Sequence, residues 1–123
     1  MTQRVLALAV TLAAVLGCLV EWERAQASRV DDAVMALRTA RLGPTTRARL
    51  GTWFRAVEPE TQLTWRGHPA GLLDARSVVE LVTKSGEATH VYRFAVRLDD
   101  RDVKPLDPAS EALAQRVRQW AAR

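Results

Sequence analysis

The sequence predicts an α+β fold with an N-terminal hydrophobic leader helix and two further helices. The rest of the predicted fold is a three- to four-stranded antiparallel meander and a C-terminal helix packed on one face. Three observations predict this fold. Residues 5–20 are uncharged and apolar, residues 28–57 carry apolar side chains at helical spacing, and residues 61–106 contain alternating strands between turn signals. At 123 residues, the chain has room for one domain.

The leader, residues 5–20, predicts targeting to a membrane. It follows a single cation, Arg4, and ends at Glu21. As a helix it would span about 24 Å, whereas crossing a bilayer takes about 20 residues. We therefore expect a cell-envelope protein that is periplasmic, secreted, or anchored in the inner membrane by residues 5–20, with residues 1–27 acting as signal peptide or anchor.

Three interpretations of the leader remain open. Ala25 and Ala27 form a small–x–small pattern before Ser28, which signal peptidase accepts for cleavage. Cys18 follows a segment that resembles a lipobox, which would make it a lipidation site. Alternatively, the segment is retained as an anchor with Trp22 at the interface. Retention or lipidation would make the membrane a partner through this N-terminal segment.

Behind the leader, residues 28–44 predict a stalk-like amphipathic helix. Ser28 is its expected N-cap, and Gly43 followed by Pro44 is its expected stop. Its narrow apolar stripe would suit packing on a partner helix as readily as on its own domain, so residues 28–42 are a candidate contact with a protein partner. Residues 45–123 form the predicted α+β domain, whose first helix begins at Thr45 or Thr46.

Alternation of side chains predicts the strands of this domain. Tyr92 and Phe94 lie on one face of the clearest strand, and Arg93 and Arg97 lie on the other. Asp107 is the expected N-cap of the final helix. The predicted strands cover residues 61–66, 77–84, 89–98 and 102–106, and residues 70–75 are compatible with a turn or a single helical turn.

The positive charge is carried by arginine. The net charge is +4, and 16 of the 18 basic residues are Arg. Residues 33–57 contain five arginines and no acidic residue, which predicts contact with an anionic surface such as lipid head groups. Nucleic acid is not expected, because a leader is present and no stacking-aromatic motif accompanies the run. The five arginines are Arg38, Arg41, Arg47, Arg49 and Arg55.

No combination of residues predicts catalysis, a cofactor or a metal. The two histidines, His68 and His90, lack ligand spacing. Asp99, Asp100 and Asp102 alternate with cations, as in a solvated turn. Our first hypothesis is therefore a non-enzymatic envelope protein, a small interaction module that belongs to a larger assembly.

The alternative is a soluble periplasmic module that binds a small or anionic ligand. It would use the open sheet face that carries Arg93 and Arg97, or the arginines of residues 38–55. An apolar concavity lined by Tyr92 and Phe94 would favour this alternative, and a fully packed sheet would count against it.

Overall fold

The computed structural model describes residues 2–69 and 76–123, with side chains described from residue 9 onward. The predicted turn at residues 70–75 lies outside these ranges. The described elements are α1 (Thr2–Thr39), α2 (Leu50–Val57), β1 (Gln62–His68), β2 (Arg76–Ser85), β3 (Ala88–Arg97), β4 (Val103–Pro105) and α3 (Pro108–Ala121).

The first helix, α1, joins the predicted leader and the predicted stalk in one unbroken run of 38 residues. The expected N-cap, Ser28, therefore lies inside the helix rather than at its start. No glycine or proline occurs between residues 18 and 42, so nothing local interrupts the hydrogen-bonding ladder there. α1 ends at Thr39, whose hydroxyl donates to the Met35 carbonyl at 2.9 Å.

The strands form one antiparallel meander in the order β1-β2-β3-β4, which confirms the predicted fold class with four strands. One row across the inner face contains Gly67, Val79, Phe94 and Pro105. The sheet therefore has an inner face, covered by helices, and an outer face that no described helix covers.

The core lies between the inner face and the three helices. The stretch predicted as a stalk contributes Ala33 and Leu37, both fully buried, so it packs on its own domain. The predicted apolar stripes of α2 and α3 are buried as well. The largest core side chains from these two helices and the sheet are Leu50, Trp53, Phe54, Val79, Leu81, Phe94, Val96, Leu113 and Val117.

α1 crosses the sheet from β1 towards β4. A Cβ built on Gly67 would collide with Val30 Cγ1 and would lie 3.0 Å from Val34 Cγ2. At its other end, Thr39 and Ala40 line the same groove as β4. Because α1 contacts β1, β2 and β3 in turn, its axis runs roughly parallel to the plane of the sheet.

The last two helices begin in different ways, because α3 has a side-chain cap and α2 has none. α2 starts at Leu50 rather than at Thr45 or Thr46, because residues 41–49 form bends and turns in which Leu42 N–H donates to the Ala48 carbonyl at 2.6 Å. α3 begins as predicted after Asp107, whose carboxylate accepts from the Ser110 N–H at 2.8 Å. The buried Ser110 hydroxyl in turn accepts from the Arg93 N–H at 2.8 Å, which ties α3 to β3.

Acid should weaken this cap. Hydrogen bonds from the Ser110 side chain and backbone hold the pKa of Asp107 below its usual range. The carboxylate therefore stabilises the fold above its unfolded pKa, and this contribution is lost as the pH falls through the lower folded pKa. Asp107→Asn keeps an acceptor oxygen but does not titrate, so its unfolding temperature should approach that of the wild type as the pH falls below about 4. Melting curves over this range, followed by circular dichroism, measure the difference, and parallel pH profiles would contradict it.

Candidate functional site

The N-terminal half of α1 exposes its apolar side chains. Leu12 is 63% exposed and Leu16 is 55% exposed, and residues 9–20 carry no charge on any side of the helix. Glu21 is the first charged residue after this segment. Among the residues that the structure describes, no helix is long and apolar enough to cross a membrane. We call residues 9–20 the apolar segment.

The predicted processing positions all lie on α1. Cys18 is a free, exposed thiol within the apolar segment. Ala25, Ala27 and Ser28 are also exposed, and the helix passes through them without a break.

The five arginines predicted to contact an anionic surface are distributed among separate neighbours. The Arg38 guanidinium lies 5.9 Å from the centroid of the Trp65 ring, and that of Arg47 lies 4.5 Å from the Trp120 ring. Arg55 Nε donates to the Gly51 carbonyl of its own helix at 3.4 Å. Stacking on tryptophan gives at least two of these cations a structural role.

The outer face of the sheet gathers a larger set of cations. The strand register places Glu80 on β2 between Arg66 on β1 and Arg93 on β3, and it places Arg76 directly opposite Arg97. Glu80 is the one acidic residue among the described outward-facing strand positions. We call the following residues the basic face: Arg66, His68, Arg76, Arg93, Arg97 and Lys104.

Ion pairs neutralise part of the charge of the basic face. Glu80 Oε1 lies 3.3 Å from Arg93 Nε and 3.4 Å from His68 Nε2. Arg97 Nη1 is 3.8 Å from Asp100, at the edge of the face. The Nε of Arg97 is buried and has no hydrogen-bond partner within the described part of the chain.

An open groove of about 730 Å³ lies on the inner side, at the hairpin end of the sheet. Burial raises the pKa of Tyr92, Arg116 lowers it and Glu58 raises it further, so the phenol stays protonated at neutral pH. The His90 ring lies 6.4 Å from the Tyr92 ring. The lining residues are Glu58, Pro59, Glu60, Thr61, Thr83, Ser85, Ala88, His90, Tyr92, Ala109, Ala112 and Arg116.

Tyr92 and Phe94 do not share a concavity. Phe94 is fully buried and forms part of a second groove, of about 570 Å³, at the end of α1. The shared concavity that would favour the binding-module alternative is therefore not formed by these two residues, and the exposed Arg93 lies on the opposite side of the sheet. A ligand for Arg93 and Arg97 would bind the outer face.

The acidic turn after β3 is accounted for by local contacts. Asp102 N–H donates to Asp100 Oδ1 at 3.0 Å, and Asp102 lies 3.8 Å from Lys104. Within residues 2–69 and 76–123, no group of three or more His, Cys, Asp or Glu side chains is placed to hold a metal ion.

Comparison with protein-family models, with curated proteins and with solved structures finds no match to this chain.

The sequence identified part of the basic face and missed the rest. It singled out Arg93 and Arg97, but not Arg66, Arg76 or Lys104. Alternation along each strand would have placed these three opposite the apolar side chains. Only the strand order and register bring them together, and alternation does not specify either.

Proposed function

We propose that this is a non-enzymatic envelope protein, held at the membrane by the N-terminal half of α1, whose folded domain is an interaction module within a larger assembly. One observation carries the proposal. The apolar segment is exposed, although it lies on the same helix as the core residues Ala33 and Leu37.

The character of the apolar segment supports insertion into lipid. A helix that is apolar on all sides needs an apolar surrounding, either lipid or other helices. Helices that lie flat in the interface have a charged face, which residues 9–20 lack. The segment therefore enters the hydrocarbon end-on. Residues 21–29 then connect it to the domain, over a helical rise of about 13 Å.

The continuity of α1 supports retention of the segment rather than cleavage before Ser28. Ala25, Ala27 and Ser28 are helical, and a peptidase must unwind helical backbone before it can cleave it. The first core residue of α1, Ala33, follows within two turns of this position.

Leu16→Arg should release the protein from membranes. A charge at the centre of an inserted helix costs about 2.5–3.5 kcal/mol, or roughly 100-fold in partitioning. Leu16 has no role in the core, so the fold should be unaffected. The measurement is the fraction of full-length chain that remains in the membrane pellet after alkaline extraction, with intact mass to define the N-terminus.

Met35→Arg is the matched control, because Met35 is 55% exposed on the same helix but lies on the folded domain. It should leave the pellet fraction unchanged. A mass that begins at Ser28 in the soluble fraction would contradict retention and would favour the released binding module. An acylated Cys18 would keep the protein at the membrane by a lipid instead of by α1.

A further inference from the structure

We propose that the groove at the hairpin end of the sheet binds the zwitterion of an amino acid with an aliphatic side chain. The ligand ammonium pairs with Glu58 and Glu60, and the ligand carboxylate pairs with Arg116. This inference goes beyond the proposed function and does not depend on how the chain is held at the membrane.

The groove has the size and the surface for such a ligand. Its volume is about 730 Å³, and small-molecule sites typically measure about 300–1,000 Å³. Ala88, at the start of β3, and Ala109 and Ala112, on α3, are among its lining residues. Their side chains end at Cβ, so they leave the space open and give an aliphatic chain an apolar surface to lie on.

Charges of both signs line this groove without pairing. Glu58 and Glu60 follow the end of α2, and Arg116 lies on α3. The Thr61 hydroxyl donates to the Glu58 carboxylate at 3.4 Å. Within the described residues, the side chains of Glu60 and Arg116 have no hydrogen bond or ion pair, and Arg116 pairs with neither carboxylate. A ligand that carries both charges can bridge the two sides of the groove.

Tyr92 shows that the opposite charges lie near the same point of the groove. Its half-buried side chain is part of the lining. Burial raises the pKa of Tyr92, Arg116 lowers it, and Glu58 raises it further. Charged groups shift a pKa mainly from nearby, so the phenol is close to both charges. Its hydroxyl can therefore donate to a carboxylate that is bound beside Arg116.

The end of α2 determines which way the ligand lies. α2 ends at Val57, and Glu58 is its C-cap. The carbonyl end of a helix carries a partial negative charge, so an acidic side chain there is unfavourable by itself. A bound ammonium neutralises this excess of negative charge, whereas a bound carboxylate would add to it. The ligand ammonium therefore points towards α2 and the ligand carboxylate towards α3.

A zwitterion fits this groove better than an ion of one sign. A simple carboxylate that reaches Arg116 also lies near the acidic side chains, and a simple amine that reaches Glu58 also lies near Arg116. Each of these ions meets a like charge that the zwitterion neutralises. The zwitterion also forms charge-assisted hydrogen bonds at both of its ends, and these are stronger than neutral ones.

The test compares three probes that share one carbon skeleton: leucine, isocaproate, which lacks the ammonium, and isoamylamine, which lacks the carboxylate. Tyr92 is the only tyrosine of the chain, so isotopic labelling of tyrosine gives ring NMR signals from the groove alone. The full chain in non-ionic detergent micelles is titrated with each probe. Leucine should shift the Tyr92 signals saturably. It should bind at least about tenfold more tightly than either analogue, because each analogue lacks one charge-assisted hydrogen bond.

The charge variants should exchange the selectivity among the probes. Arg116→Gln should weaken leucine binding at least about tenfold without weakening isoamylamine binding. Glu58→Gln/Glu60→Gln should weaken leucine binding similarly without weakening isocaproate binding. Glu111→Gln/Arg123→Gln is the matched control. It removes one exposed charge of each sign near the two ends of α3, outside the groove, and should change leucine affinity less than about twofold.

Three results would overturn the proposal. The first is equal affinity for leucine, isocaproate and isoamylamine, or no saturable shift of the Tyr92 signals. The second is equal weakening of all three probes by the charge variants, since that is the result of general loosening. The third is unchanged leucine binding by Ala109→Leu, which fills the groove without changing its charge and should weaken binding.

Discussion

Gly67→Ala should destabilise the fold by about 2 kcal/mol, since overpacking of a tight contact typically costs 1–3 kcal/mol. The added methyl would occupy space held by Val30 Cγ1 and would lie 3.2 Å from the Val30 carbonyl oxygen. Either α1 lifts off β1 or the strand shifts, and both loosen the core. For a domain of about 95 residues, the unfolding temperature should fall by roughly 10 °C, measured by circular dichroism in detergent.

Two further variants make this test specific. Gly51→Ala, inside α2, should stabilise the protein by up to about 1 kcal/mol, because only the Arg55 side chain, at 3.9 Å, is near. Val30→Ala combined with Gly67→Ala should recover part of the loss, because it removes the colliding methyl. Independent, additive effects of the two substitutions would show that the α1–β1 contact is not the cause.

Leu37→Ala should be still more damaging, at about 3 kcal/mol within the 2–5 kcal/mol seen for buried leucines. Leu37 has no solvent-exposed surface and is the largest fully buried side chain that α1 contributes. Its loss leaves a cavity between α1 and the sheet that the rigid β strands cannot fill. A melting curve lowered by well over 10 °C is the expected result.

Met35→Ala provides the comparison, because Met35 lies two residues away on the same helix and is 55% exposed. Its effect should stay within about 0.5 kcal/mol. Equal unfolding temperatures for Leu37→Ala and Met35→Ala would contradict the packing of α1 on its own domain. Residues 28–42 would then be available to a partner helix.

Much of the fold could be predicted because its signals are local. Alternation along β3 correctly placed Tyr92 and Phe94 on the same face, and Asp107 followed by Pro108 correctly marked the start of α3. The prediction that a helix begins at Ser28 was wrong, because a serine that can cap a helix also occurs inside helices. The absence of glycine and proline around it was the better indicator.

The candidate surfaces were harder to predict, because they depend on contacts between distant residues. The arginines of residues 38–55 formed one cluster in sequence, yet Arg38 stacks on β1 and Arg47 stacks on α3. Conversely, Arg76 and Arg97 are 21 residues apart and become direct neighbours through the β2–β3 register. The requirement for glycine at Gly67 could not be predicted from local sequence either, because it arises from the path of α1 over β1.

Because α1 is unbroken, it connects the apolar segment to the domain as one rigid helix. In a straight helix each residue adds about 1.5 Å of rise and about 100° of rotation. If α1 holds the protein at a membrane as we propose, the number of residues between Val20 and Val30 sets both the height of the domain above the lipid and its orientation around the helix axis. A change of one residue there would alter no contact within the domain, but it would point the basic face towards a different neighbour.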